Sequence, residues 1–228
     1  MTIFVPNLRD VGGTPTADGA RVAAGRLLRS ALPASTDAVP EGMAWPPSLV
    51  VDLRSPGEGE PKHPLADGEA RIVNLPLLSV LRPGAVLPSR LAELYVLMLE
   101  TASEHLVDLV REVAAAEGPT LVHCSAGKDR TGVSIAMLLR LVGVDRGDVV
   151  DDYLATRAAE AAIVERVSQV RRRMRRAPLP GPYLEVPQEA IEAVLDHWDD
   201  HTGGIEGWFA SVGGDDELVE RLRRSLVG

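Results

Sequence analysis

Apolar positions along the chain fall into two kinds of run. Short, β-branched-rich stretches bounded by Gly, Pro or charge occur at 26–30, 48–53, 71–75 and 120–122, and each predicts a strand. Residues 1–13 predict an edge strand leading into the Gly12-Gly13 turn, and Asp18-Gly19 marks a hairpin turn. Longer stretches repeat at helical spacing over 89–100 and over 103–116, where Leu106, Val107, Val110 and Val113 form the stripe. The run 131–141 is apolar nearly all round, which predicts a helix buried through the domain centre. Gly143 suits its C-cap, and Asp145 suits the N-cap of the next helix.

The spacing of Ile163, Val167, Val170 and Met174 predicts one amphipathic helical stretch over 152–176. Three more helices close the chain at 188–201, 205–212 and 217–227, with core stripes through Ile191, Val194, Leu195 and Trp198 and through Leu218, Val219, Leu222 and Leu226. Proline- and glycine-rich segments at 33–47, 56–70 and 177–187 read as connections, the second exposed and the third a linker over the surface. His197 and His201 share a helix face at i,i+4, but no carboxylate motif or cysteine accompanies them, so they read as surface or capping residues.

The chemistry concentrates in one loop. His123 to Gly132 reads HCSAGKDRTG between the last predicted strand and the buried helix. That junction is where open α/β sheets bind anions, because free backbone N–H groups and the helix dipole meet there. Amides of Ser125, Ala126, Gly127, Lys128, Asp129 and Arg130 can curl inward as a nest, with the Arg130 guanidinium gripping two phosphoryl oxygens at its rim. Cys124 beside that charge is held toward its thiolate form and is a nucleophile candidate. Thr131 can donate to the thiolate, and His123 can brace the loop through its carbonyls. A nucleotide-binding loop of the Walker type does not fit: position 122 is Val where Gly is needed, and 129 is Asp where Ser or Thr is needed.

This loop closely resembles the signature of the protein tyrosine phosphatase superfamily, in the form found in its bacterial branch. NLRDVGG at 7–13, GRLLRSA at 25–31, VDLRS at 51–55 and the helices around Gly203-Gly204 are similar to that branch as well, so the resemblance spans nearly the whole chain. It implies an α/β, three-layer fold in one domain, 1–228, with a mostly parallel central sheet of about four to five strands, flanking helices and a helical C-terminal part. Helices within 146–186 are then candidates for a lid. It also implies a phosphocysteine intermediate and no metal or other cofactor, the positive potential coming from Arg130 and the loop amides.

The superfamily's familiar acid loop has no counterpart here, since no carboxylate occurs from Ala70 to Ala92 and Trp45-Pro46-Pro47 lacks the acid and lies too far upstream. Asp129 is the first candidate for the general acid and Asp52, at a strand end, the second; Asp52 could instead orient Lys128 or Arg130. Arg9 and Asp10 are expected to pair with each other near the sheet.

Composition narrows the partners. At 228 residues and net charge −9 the chain is a poor general nucleic-acid binder, and no stretch approaches a membrane span. The amino terminus lacks a signal pattern, so cytoplasmic residence is the default expectation, although members of the resembled branch can be exported without one. A single cysteine excludes an internal disulfide. Of 24 basic residues only Lys62 and Lys128 are lysines, which points to a specific use for Lys128, placed at the pocket rim as in phosphatases that accept phosphoinositides as well as phosphotyrosine. The basic cluster RRRMRR at 171–176 reads most simply as a solvated helix end, and more sharply as recognition of an acidic peptide or lipid headgroup. The expected substrate is therefore a phosphorylated protein, with phosphoserine, phosphothreonine or phosphoinositide as extensions. A catalytically idle phosphopeptide-binding module is the rival.

Overall fold

A computed structural model describes residues 4–58, 62–79, 88–175 and 180–228. Parts of the expected edge strand (1–3), of the connections (59–61, 177–179), of the stretch screened for an acid (80–87), and Arg176 of the basic cluster lie outside the described residues.

Five strands, β1 (Arg9–Asp10), β2 (Leu27–Ser30), β3 (Leu49–Asp52), β4 (Arg71–Asn74) and β5 (Thr120–His123), form one sheet in the order β1-β2-β5-β3-β4. All neighbours are parallel except β1, which runs antiparallel to β2 at the edge. Residues of β2, β3 and β5 are buried throughout, as continuous apolar runs in a covered parallel sheet should be. β5 is central: Val122 pairs with Arg29 on one side and Val51 on the other, so the carboxyl ends of β2, β3 and β5 converge where the signature loop begins.

The helices are α1 (Leu91–Thr101), α2 (Ser103–Ala115), α3 (Asp129–Leu141), α4 (Arg146–Ala155), α5 (Glu160–Arg173), α6 (Gln188–Asp199), α7 (Gly204–Ser211) and α8 (Asp216–Leu226). α3 is buried from Arg130 to Leu139 and runs through the main core, with α1 packed on α6 and α2 on α8 around it. Leu28, Val50 and Leu121 point to the other face of the sheet, where Leu8, Met43, Trp45, Leu65 and Ile72 cover them. Trp45 thus serves this smaller core rather than the loop.

Two local expectations are corrected. The predicted helix over 152–176 is two helices, separated by a 3-10 turn at Thr156–Ala159. Arg9 Nη2 donates to the Asp152 carbonyl at 2.6 Å, competing for the acceptor that a continuing helix would give to the amide of Thr156. Arg9 therefore does not pair with Asp10. Its Nε donates to Asp152 Oδ1 at 2.9 Å, while Asp10 accepts from the amides of Gly12 and Gly25 at 2.8 and 2.6 Å. Gly143 adopts φ +89 after α3 as a C-cap glycine does. Asp145 sits at the N-cap of α4 without a side-chain cap bond, whereas Asp215 caps α8 through the Leu218 amide at 2.7 Å.

Candidate active site

The loop from Cys124 to Lys128 joins β5 to α3, and its shape follows from where its carbonyls go. Leu53 N–H donates to His123 O at 2.9 Å, the His123 ring meets Cys124 O through Nδ1 at 3.1 Å, and Leu32 N–H donates to Ser125 O at 3.4 Å. Gly127 O accepts from Asn7 Nδ2 at 2.7 Å and Arg29 Nη2 at 3.0 Å. These bonds occupy the loop carbonyls with partners from other segments, which an anion nest requires of its peptide planes. The Gly127 amide donates to Cys124 Sγ at 3.2 Å.

Cys124, Asp129 and Arg130 line a cavity of about 190 Å³, walled by Leu78, Leu94 and Tyr183, by Val167 and Val170 of α5 and by Met174 just after that helix. Ser125 and Ala126 also line it. The stripe on α5 is thus partly a cavity wall rather than core. Arg166, on the same helix, is fixed by Asp37 at 2.7 and 2.9 Å and by the Leu32 carbonyl at 3.0 Å.

Arg130 is gripped by a residue of the cavity lining that the sequence gave no reason to single out. Glu58 accepts from Nη1 at 2.6 Å and Nη2 at 2.8 Å, and its oxygens also take the Ser55 amide at 2.8 Å and the Ser125 hydroxyl at 3.1 Å. Burial alone would raise the Glu58 pKa, but the Arg130 charge and these donors outweigh it and hold it at about 2. Burial likewise disfavours the Arg130 charge, and Glu58 and Cys124 overcome it.

Asp52 ends β3, the strand end at which the sequence places it, but does not reach the cavity. Its Oδ1 accepts from the Arg54 amide at 3.0 Å and Nε at 2.9 Å, its Oδ2 from Nη2 at 2.7 Å, and it lines no part of the cavity. It touches neither Lys128 nor Arg130, so the second acid candidate is a structural partner of Arg54. Asp52, His63 and His123 are the trio of described residues spaced for a cation, with donor atoms within 4.8 Å of one another. Their lone pairs are already committed, the carboxylate to Arg54 and the imidazoles to each other at 2.8 Å.

Comparison with known proteins completes the description. A family model described as the tyrosine phosphatase family matches residues 4–228. The chain belongs to that family. A Cupriavidus necator protein carrying a provisional tyrosine-protein phosphatase name is 32% identical over 218 residues, covering 90% of this chain and 80% of the relative. The triple specificity protein phosphatase PtpB of Mycobacterium tuberculosis is 32% identical over 126 residues, 50% of this chain and 46% of its own. Among solved structures, TpbA of P. aeruginosa in complex with pTyr covers 69% of this chain and 91% of its own at 21% identity and a TM-score of 0.39. The protein is accordingly a protein-tyrosine phosphatase, a phosphoric monoester hydrolase.

In this phosphatase Asp129 lies at the first turn of α3 and accepts from the Tyr95 hydroxyl at 2.7 Å, with Lys128 Nζ at 3.3 Å. Tyr95 in turn meets the Tyr153 hydroxyl at 2.9 Å; burial, then the Asp129 charge, raises the Tyr95 pKa well above its usual value. Lys128 is not the rim cation expected from the sequence. It is 2% exposed, and its amine donates to the carbonyls of Tyr183 and Glu185 at 2.9 and 2.5 Å. It therefore ties the 183–185 segment to the phosphate loop, and that segment supplies a cavity wall rather than a surface linker. Thr131 is fully buried, with an Oγ1 that has no hydrogen-bond partner in the described protein.

The Glu58 contact yields a first prediction. Because the folded pKa lies below the usual 4.5, the pair contributes stability fully above about pH 4.5 and loses it as pH falls through about 2. Glu58→Gln removes the charge and is expected to lower unfolding stability at pH 7 by about 1.5–3 kcal/mol, read from urea denaturation, and to lower kcat/KM. An unchanged denaturation midpoint would show that Arg130 does not depend on Glu58.

Proposed function

We propose that this phosphatase hydrolyses phosphotyrosine in proteins through a phosphocysteine intermediate on Cys124. The observation that carries the reading is the joint presence, around one cavity, of a thiol accepting a loop amide, the Arg130 guanidinium and the Asp129 carboxyl. Cys124 Sγ attacks phosphorus; the S–P bond forms as the P–O bond to the leaving group breaks, and Asp129 gives its proton to the departing oxygen. Water then attacks phosphorus, the S–P bond breaks, and Asp129 takes back a proton. Arg130 and the inward amides of 125–130 hold the equatorial oxygens throughout, and Thr131 offers its unpartnered hydroxyl to the returning thiolate.

The apolar walls favour a phosphorylated aromatic ring over a hydrated headgroup. Lys128 is buried and Arg166 in the cavity wall is paired with Asp37, so extension to phosphoserine, phosphothreonine or phosphoinositides rests on Arg130 and the width of the cavity. α5 acts as a lid in this scheme, covering the lone thiol, which is 1% exposed.

Phosphate release from phosphotyrosine peptide, phosphoserine peptide and phosphoinositide vesicles tests the substrate class, and no release from any would leave the idle binding module. Asp129→Ala tests the acid. It is expected to slow phenyl phosphate, a poor leaving group, by about 10²-fold or more while sparing p-nitrophenyl phosphate. Equal losses on both would remove Asp129 from that role.

A further inference from the structure

We infer that His63 is a positioning residue of the phosphate loop, setting the tautomer of His123 and through it the orientation of the Cys124 carbonyl. The inference rests on the phosphatase reading of that loop, but its geometry stands apart from it.

His63 lies in the connection that sequence patterning marks as exposed, yet it is only 8% exposed and its ring lies against that of His123, tilted by 45° at a centroid distance of 4.9 Å. Three contacts form a chain with one consistent direction. The Leu65 amide, which can only donate, lies 3.1 Å from His63 Nδ1, so that nitrogen carries a lone pair. A neutral His63 ring then bears its proton on Nε2 and donates across 2.8 Å to His123 Nε2. His123 must in turn bear its proton on Nδ1, where it donates across 3.1 Å to the Cys124 carbonyl, which can only accept. A donor at one end and an acceptor at the other leave no second arrangement with both rings neutral.

The surroundings keep them neutral. Burial lowers the His123 pKa to about 4 and lowers that of His63 as well; Arg54 adds to both shifts, and the Asp52 carboxylate, 3.9 Å from His123 Nε2, opposes them. A proton added to His123 would set two N–H groups against each other at Nε2, and one added to His63 would set its Nδ1–H against the Leu65 amide. The same assignment closes the trio to a metal, because His63 Nε2 offers a proton rather than a lone pair.

Without the His63 donor, His123 has an alternative, which is to carry its proton on Nε2 and turn it toward Asp52. The Cys124 carbonyl would then lose its donor, and one of the bonds that occupy the loop carbonyls would be gone. The change would fall on the placement of Sγ more than on anion binding, which Arg130 and the other amides retain.

The test uses the full-length protein labelled with ¹⁵N-histidine. Long-range ¹H–¹⁵N spectra at pH 7 report the tautomer of each of the five histidines. The expected result is a neutral Nε2–H ring for His63 and a neutral Nδ1–H ring for His123. His63→Leu is expected to convert His123 to its Nε2–H form and to reduce kcat on phosphotyrosine peptide about tenfold, with KM little changed. His63→Gln, whose amide can donate to His123 Nε2, is expected to restore both the tautomer and kcat. An Nε2–H ring at His123 in the wild type, or an unchanged tautomer and kcat in His63→Leu, overturns the inference. Should His63→Leu fail to fold, the wild-type and His63→Gln spectra decide the question. A wild type with the expected tautomers but no phosphate release would instead overturn the phosphatase reading alone.

Discussion

Cys124→Ser is expected to abolish phosphate release while leaving the loop able to hold a phosphorylated ligand. The hydroxyl occupies nearly the same place as the thiol, so the bonded loop carbonyls, the Arg130–Glu58 pair and the cavity walls persist. What is lost is the nucleophile: a serine hydroxyl without an adjacent general base is almost wholly protonated at neutral pH. Loss of a nucleophile of this kind lowers kcat by on the order of 10⁴-fold or more. Phosphate release measures the loss, and calorimetric titration of the variant with phosphotyrosine peptide measures the binding that remains. The chain holds one cysteine, so a phosphorylated thiol trapped by rapid acid quench of the wild type can only be Cys124. Undiminished turnover by the variant would remove the covalent mechanism.

Gly127→Ala is expected to be nearly as damaging, for a reason of shape alone. Gly127 has φ +67, and a Cβ built there would stand 2.3 Å from the carbonyl carbon and oxygen of Ser30 and 2.4 Å from the amide of Ala31. Those atoms are backbone at the end of buried β2, with no flexible side chain to yield. A left-handed alanine costs about 1–3 kcal/mol in conformation, and forcing a methyl group into packed backbone adds about 1–3 kcal/mol. Either the domain loses that stability, or the loop shifts and withdraws the Gly127 amide from Sγ and its carbonyl from Asn7 and Arg29. Thermal unfolding and turnover on p-nitrophenyl phosphate together register both outcomes. A variant with wild-type stability and rate would mean that the loop tolerates a different path past Ser30.

The parts of this site that were legible in the sequence are those carried by local order. Cys124, Gly127, Arg130 and Thr131 sit in one run, and the apolar stretches on either side announce a strand and a buried helix. The parts that were hidden depend on contacts between distant segments. Glu58 and His63 lie in a connection whose composition says only that it turns, and their burial arises because the chain folds back over the end of β5. Tyr95 is on the buried face of α1, and nothing local in the sequence shows that its hydroxyl reaches Asp129. Lys128 stands out in a chain with one other lysine and 22 arginines, but composition could not tell a rim cation from a buried clamp. Periodicity over 152–176 reported which residues are apolar and missed the break at Thr156, since the competing donor comes from Arg9, 143 residues before Asp152.

The double grip on the Gly127 carbonyl by Asn7 and Arg29 has an effect beyond geometry. A cradle held rigid before its guest arrives surrenders little disorder on binding, so more of the electrostatic attraction appears as affinity. The same stiffness makes no distinction between an ester and free orthophosphate, and retention of the product is therefore built into the feature that captures the substrate.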